Sequence, residues 1–119
     1  MERSGDYTEL VVWQRAMDFV DAVYDATEGW PRREEFGLSN QVRRAVVSVR
    51  ANIAEGKGRT GTREYAHHLS IAHGSLWEVE TLLRVGARRK FLEQTALDAL
   101  LLQSREVSWL LRALIGRLK

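Results

Sequence analysis

Residues 36–81 read FGLSNQVRRAVVSVRANIAEGKGRTGTREYAHHLSIAHGSLWEVET. Apolar residues recur every three or four positions on both sides of a turn, residues 56–63, that is rich in glycine and in basic side chains. This period is typical of amphipathic helices, whereas a half-buried strand alternates apolar and polar residues. The block therefore predicts two long helices that are joined by a short basic turn.

The same period continues outward from this block and predicts four helices, at residues 8–28, 39–56, 62–86 and 95–118. Thr8 and Ser39 are residue types that cap helix N-termini, and Pro31 interrupts the first connection. Short connections place neighbouring helices antiparallel. The expected fold is therefore an all-α, antiparallel up-down four-helix bundle that forms a single domain over residues 1–119.

The composition of the chain excludes several classes of protein. The chain has 119 residues and no cysteine, so it has no disulfide and no thiolate to bind a metal. No apolar run approaches the roughly 20 residues that span a bilayer, and the polar start MERSGDYTE lacks the apolar region of a signal peptide. We expect a cytoplasmic protein with no membrane partner.

Charge is unevenly distributed along the chain, although its net value is only +2. Residues 1–31 carry two basic and seven acidic side chains, residues 32–63 carry eight and three, and residues 64–119 carry eight and six. A basic segment attracts polyanions within a Debye length of about 8–10 Å even when the total charge is small. The alternative is that the acidic segment packs beside the basic one and neutralises it.

The predicted helices carry more apolar residues than the core of one bundle hides. On the first helix they cover a wider arc than the roughly 100° that a surface helix needs, and the third and fourth helices carry a second apolar stripe. This excess favours a homo-oligomer, although scattered exposed apolar residues are also common on monomers. The residues expected at an oligomer or partner interface are Val12, Phe19, Trp77, Leu102 and Trp109.

Three basic residues of the second helix, Arg43, Arg50 and Lys57, recur every seven positions. Seven residues are close to two helical turns, so the three side chains project in nearly the same direction about 10 Å apart. That spacing suits contacts with successive phosphates of a nucleic acid. We call these three residues the basic ridge; the alternative is that they form a solvated face.

The turn after the second helix extends the basic ridge. Its glycines match G-x-G-x-x-G, but a dinucleotide site needs a strand before the turn, and here a helix precedes it. Free N–H groups at the start of the third helix and the basic side chains of the turn form a candidate anion site. The alternative is a glycine C-cap joined to a threonine N-cap, with the basic residues merely exposed. The full candidate nucleic-acid-binding set is Arg43, Arg50, Lys57, Arg59 and Arg63.

Glu64 and His67 form a single E-x-x-H, the unit that di-iron bundles carry twice. No second copy exists, and His67, His68 and His73 are not spaced four residues apart. The sequence also offers no identifiable nucleophile, cofactor motif or second acid beside them. We therefore expect no metal site, no cofactor and no enzymatic activity.

A polar stripe lies beside the core face of the second helix and consists of Gln41, Ser48, Asn52 and Glu55. We expect this stripe, with Arg44 beside it, to meet polar residues of the third helix, namely Ser75, Glu78, Glu80 and Thr81. A hydrogen-bonded network of this kind fixes the register between helices, because an unpaired buried member is costly. We interpret the stripe as structural.

The block and the helix before it resemble the four-helix-bundle family encoded by intervening sequences of bacterial 23S rRNA genes, also called S23-like. The resemblance covers residues 10–83 and rests on VWQRAMD in the first helix, FGLSNQVRRA and ANIAEGKGR in the second, and IAHGSLWEVET in the third. The family usually has SIPANIAEG where this chain has SVRANIAEG. Arg50 therefore replaces a proline, which restores a backbone N–H and adds charge to the basic ridge.

The resemblance implies a ring-like homopentamer without enzymatic activity or cofactor. Related proteins include the accessory variability determinant of diversity-generating retroelements, a basic pentamer that looks like a nucleic-acid-binding partner of a reverse transcriptase. We therefore expect a non-catalytic, oligomeric protein that binds RNA through repeated basic ridges. The alternative is a protein-interaction scaffold, such as an accessory subunit of a reverse transcriptase, anchored by Trp77, Leu102 and Trp109.

Overall fold

The computed structural model describes residues 5–118, and four long helices account for most of them. The helices are α1 (Val11–Thr27), α2 (Leu38–Lys57), α3 (Thr62–Arg88) and α4 (Gln94–Leu118). Two short 3-10 helices, Tyr7–Glu9 and Arg32–Glu34, precede α1 and α2, and the described part of the chain contains no strand. The prediction of an all-α chain with four helices is confirmed.

The starts of α1 and α2 differ from the predicted caps. Asp6 rather than Thr8 acts as a cap, because its carboxylate accepts the Thr8 hydroxyl and the Thr8 N–H, the latter at 2.9 Å. These two bonds, the hydroxyl first, lower the pKa of Asp6. Ser39 lies buried inside the first turn of α2, where Glu34 supplies the acceptor through Oε1, 3.2 Å from the N–H of Leu38. Asp6 therefore caps the 3-10 helix Tyr7–Glu9, while α1 follows Leu10 without a side-chain cap. At α2 the acceptor comes from the second 3-10 helix, upstream of the predicted cap.

Each helix packs against two others around one core. The helix α1 contacts α2 and α4, and α3 contacts the same two helices. The predicted apolar face of α3 is buried throughout, and it consists of Tyr65, Leu69, Ala72, Leu76, Val79 and Leu83. Within residues 5–118, no helix combines the length and the apolar character that crossing a membrane requires.

Trp30 closes one end of this core. Its side chain is only 6% exposed, and its ring centroid lies 5.9 Å from that of Phe91, in the connection between α3 and α4. The guanidinium carbon of Arg33 lies 5.7 Å from the centroid of the same Phe91 ring. The α1–α2 and α3–α4 connections therefore meet at this end of the molecule.

Candidate nucleic-acid interface

Arg43, the first member of the predicted basic ridge, is bound to α1. Its Nε donates to Oγ1 of Thr27 at 2.8 Å, and its Nη2 donates to the carbonyl oxygen of Tyr24 at 3.4 Å. Its guanidinium carbon also lies 4.8 Å from the centroid of the Tyr24 ring. The structure therefore corrects the assignment of Arg43 as a phosphate contact, because its guanidinium is bound to α1 and joins the two helices.

Arg50 and Lys57 continue the same face of α2 and are half-buried. Their long side chains can pack their methylene groups along the protein while the charged ends reach water. Neither side chain makes a hydrogen bond or an ion pair with any residue from 5 to 118. Their charges are therefore not neutralised by a carboxylate of the described chain.

The turn between α2 and α3 is short and capped by backbone groups. The N–H of Gly58 donates to the carbonyl oxygens of Ala54 and Glu55, both at 3.2 Å, which is the glycine C-cap weighed as an alternative above. The threonine N-cap of that alternative does not form at Thr62, because Thr62 is the first residue of α3 and Gly61 occupies the cap position. The N–H groups of the first turn of α3 therefore have no side-chain acceptor from the cap position.

Arg59 and Arg63 differ in their surroundings. Nη2 of Arg59 lies 2.9 Å from Oε2 of Glu55, one turn earlier, and both side chains are exposed. Arg63 is exposed at the start of α3, and no carboxylate from residues 5–118 pairs with it. Arg63 and Lys57 are therefore the unpaired cations of the candidate anion site, while the charge of Arg59 is offset by Glu55.

Gly56, which the G-x-G-x-x-G comparison singled out, has a packing role. A Cβ at this position would lie 2.9 Å from Cβ of His68 and 3.1 Å from Cδ1 of Tyr65. Only a glycine allows α2 and α3 to approach so closely here. The close packing of the two helices therefore explains the glycine, without a phosphate-binding role.

The predicted polar network between α2 and α3 forms in part. The hydroxyl oxygens of Ser48 and Ser75 are 3.0 Å apart, and the amide of Asn52 donates to the Ser48 carbonyl oxygen at 3.0 Å. Oδ1 of Asn52 lies 3.1 Å from Nδ1 of His68, a partner that the sequence did not reveal. Glu80 instead accepts a hydrogen bond from Ser104 of α4 at 2.5 Å. The network thus ties α3 to both of its neighbours.

His73 joins α3 to α4. Its Nε2 lies 2.8 Å from Oγ of Ser108, and its ring centroid lies 5.3 Å from that of Trp77. Partial burial, and next the positive charge of Arg112, lower the pKa of His73 below its ordinary value of 6.5, while Glu80 opposes the shift. The uncharged imidazole is therefore the favoured form at neutral pH.

Large apolar side chains are exposed on the outer faces of α3 and α4. Trp77 is 60% exposed, Leu102 69% and Trp109 70%. Arg112 lines two neighbouring surface cavities, one of which is also lined by Trp77 and the other by Trp109, so the two tryptophans share a surface. We call Trp77, Leu102 and Trp109 the apolar face.

Val12 and Phe19 do not belong to that face. They are 5% and 0% exposed within the single chain, where they fill the core. The structure therefore corrects their assignment to an interface. The reason is that α1 packs against two helices, which cover a wider arc of its surface than one neighbour would.

Two features of the surface were missed by the sequence reasoning. Phe36 is 88% exposed, and Arg88, Arg89 and Lys90 are three consecutive exposed cations at the end of α3. The run of three basic residues was visible in the sequence, but the charge count over residues 64–119 as a whole did not show it, because acidic residues elsewhere in that segment offset it.

Residues 5–118 contain no group of three His, Asp or Glu side chains placed to hold a metal ion.

Comparisons with known proteins place the chain in a family. A comparison with curated proteins found no match. A crystal structure of a protein of unknown function from the S23 ribosomal protein family of Bacteroides thetaiotaomicron VPI-5482 is similar in fold, with a TM-score of 0.82 and 23% sequence identity over 89% of this chain and 96% of that chain. The family described as 23S rRNA-intervening sequence protein matches residues 8–113. Because that match spans most of the 119 residues, the chain belongs to the 23S rRNA-intervening sequence protein family.

Proposed function

We propose that this chain is a cytoplasmic, non-catalytic, oligomeric RNA-binding protein that contacts RNA phosphates through Arg50, Lys57 and Arg63. The observation that carries the proposal is that Arg50 and Lys57 on α2 and Arg63 at the start of α3 have no carboxylate partner among residues 5–118. Arg50 and Lys57 are two helical turns apart, and their spacing of about 10 Å suits successive phosphates. We take RNA as the polyanion from the family resemblance.

The proposed repeating unit is an antiparallel up-down bundle. The contacts Ser48–Ser75 and Asn52–His68 support this arrangement, because residues later in α2 meet residues earlier in α3. We further propose that copies of this unit associate through the apolar face, and we take the pentamer from the family resemblance. Repeated weak phosphate contacts in one assembly raise avidity without reading a base sequence.

The salt dependence of RNA binding tests this proposal. The change is R50Q/K57Q, the probe is a fluorescein-labelled RNA hairpin, and the readout is fluorescence anisotropy from about 50 to 200 mM salt. We expect the slope of log K against log salt to fall by about one to two units, because each phosphate that the protein no longer neutralises lowers the slope by about 0.9. The matched control is R15Q, since Arg15 already faces Asp18 and Glu106. A parent protein that binds no RNA at the lowest salt would overturn the function.

The competing function is a protein-interaction scaffold, such as an accessory subunit of a reverse transcriptase. Exposed Trp77, Leu102 and Trp109 favour it, because tryptophan is enriched at the anchoring positions of interfaces. A protein that assembles through these residues yet shows no affinity for RNA at low salt would support the scaffold. RNA binding that weakens with salt would instead support phosphate contact.

A further inference from the structure

The end of the molecule closed by Trp30 is closely packed and lies far from the α2–α3 turn. Trp30 lies against Gly86 of α3 and against the ring of Phe91, and Arg33 lies over that same Phe91 ring. Residues 30–33 and 86–91 are therefore packed together. A helix of 20 residues is about 30 Å long, so α2 separates this end from the proposed phosphate contacts of Lys57 and Arg63 by about that distance.

This end carries unpaired positive charge. Residues 84–93 contain four basic side chains and one acidic, and residues 28–37 contain two basic and three acidic, of which Glu34 is engaged as the cap of α2. The exposed cations Arg32, Arg88, Arg89 and Lys90 pair with no carboxylate of the described chain. Arg32 lines a surface cavity together with Glu28 and Glu35, whereas Arg88, Arg89 and Lys90 are consecutive in the chain. Such a run of cations attracts an anionic partner.

Lys90 stands at a position that favours glycine. Its φ is +68°, in the left-handed region, and α3 ends there through a bond of 2.9 Å from the Phe91 N–H to the Gly86 carbonyl oxygen. Helices that end in this way usually have glycine at the left-handed residue, because a Cβ is strained there. A lysine at this position therefore costs stability relative to glycine.

Phe36 is 88% exposed, three residues after Arg33, and therefore within about 11 Å of it along the chain. Its neighbours Glu34 and Glu35 are charged, so it is an isolated ring rather than part of a continuous apolar patch. A membrane-inserting or protein-docking surface needs a larger patch. An exposed ring at the same end of the molecule as unpaired cations is instead the kind of surface on which unpaired bases stack.

We propose that this end binds single-stranded RNA, with Phe36 stacking on a base and with Arg32, Arg33, Arg88, Arg89 and Lys90 contacting phosphates. We call these six residues the basic end. The proposal rests on the RNA-binding function above and adds to it a second surface and a preference for unpaired bases. Duplex RNA keeps its bases stacked on one another and offers none to Phe36.

Three variants of the full chain test the basic end with a fluorescein-labelled oligouridylate and with a perfect RNA duplex of the same length. F36A should weaken oligouridylate binding by about 5- to 100-fold with an unchanged salt slope, and should leave duplex binding unaltered. R88Q/R89Q should lower the salt slope for oligouridylate by about 0.7 for each phosphate that the variant no longer neutralises. The matched control R15Q should change neither property.

K90G, the third variant, separates binding from stability. Removal of the strained Cβ should raise the Tm by about 2–6 °C, while the salt slope for oligouridylate falls by about 0.7 because one cation is removed. A merely structural lysine would not produce this combination. A K90G protein that binds the oligouridylate like the parent would contradict the phosphate contact at this residue.

The outcomes distinguish this proposal from the general function. If the parent binds neither RNA at low salt, both proposals fall. If R50Q/K57Q weakens RNA binding while F36A and R88Q/R89Q bind like the parent, the basic end alone is overturned. Binding of the parent to phosphatidylserine vesicles that F36A abolishes, with oligouridylate binding intact, would make this end a lipid site and would also overturn the proposal.

Discussion

Gly86 lies directly against the indole of Trp30: a Cβ on Gly86 would come within 2.5 Å of Cη2 of the indole. The indole is 6% exposed and also packs near Phe91, so it has little freedom to move away. The contact fixes the α1–α2 connection on α3. It therefore positions Arg33 beside the end of α3, over the Phe91 ring.

We expect G86A to lower the free energy of unfolding by about 1–3 kcal/mol, because the added methyl group overfills a closed contact. Gly74 is the matched control: it lies on the same helix, is exposed, and a Cβ added to it would meet no atom within 4 Å. G74A should raise the free energy of unfolding by about 0.5–1 kcal/mol through helix propensity alone. Urea denaturation measures both, and equal stabilisation by the two changes would contradict the contact.

Substitutions of Arg43 and Arg50 should have different effects, the first on stability and the second on RNA binding. R43Q removes the hydrogen bond to Thr27 and the contact with the Tyr24 ring, so we expect a loss of about 1–2 kcal/mol in the free energy of unfolding and an unchanged RNA salt slope. R50Q should leave the free energy of unfolding unchanged and lower the RNA salt slope. A double-mutant cycle of R43Q with T27V in urea denaturation checks the pair, and a coupling of zero would show that Arg43 is merely exposed.

The long helices were predictable because their apolar period continues without interruption. The predicted start of α3 at Thr62 and end of α4 at Leu118 agree with the structure. The starts of α1 and α2 were not predictable in the same way, because each follows a short 3-10 helix that carries no periodic signal. Asp6 caps the first of these, α1 itself has no side-chain cap, and Glu34 acts from the second. A capping residue type such as Thr8 identifies a helix start only to within a turn.

The candidate site was harder to predict than the fold. Helical spacing shows that Arg43, Arg50 and Lys57 share a face, but it does not show whether that face meets water or a neighbouring helix. For Arg43, the hydrogen-bond acceptors on α1 show that the side chain meets a neighbouring helix, and these acceptors lie in a different part of the sequence. Likewise, only the packing of α1 against two helices shows that Phe19 is a core residue while Trp109 is exposed.

Stability should depend on pH through His73. Its pKa is lower in the folded protein than its ordinary 6.5, because of burial and of the charge of Arg112. Between the two values the unfolded chain binds more protons, so stability is complete above about pH 6.5 and is lost as the pH falls through the folded pKa. We expect H73Q to remove this loss in urea denaturation between about pH 7 and 5. The control is H67Q, because His67 is exposed on the same helix, and this variant should keep the parent's dependence of stability on pH. If H73Q also kept the parent's pH dependence, the assignment to His73 would be contradicted.

The apolar face provides the test of self-association. Trp109 and Leu102 are about 70% exposed on one helix, and the burial of a tryptophan between copies would remove a large apolar area from water. W109E would place a charge in that contact, where the loss of water is costly unless the charge is paired. We therefore expect the parent to have a mass that is a multiple of 13.6 kDa by light scattering, and W109E to return toward the mass of one chain.

A matched change elsewhere shows whether position or charge is responsible. Val11 is 53% exposed at the start of α1 and is not a member of the apolar face, so V11E adds the same charge at a comparably exposed apolar position. V11E should keep the mass of the parent. If V11E and W109E both dissociate the assembly, the acidic charge itself opposes association; if neither does, the apolar face is not the contact between copies. A parent mass of one chain at micromolar concentration would reject self-association altogether, and would leave the two tryptophans as anchors for a different protein.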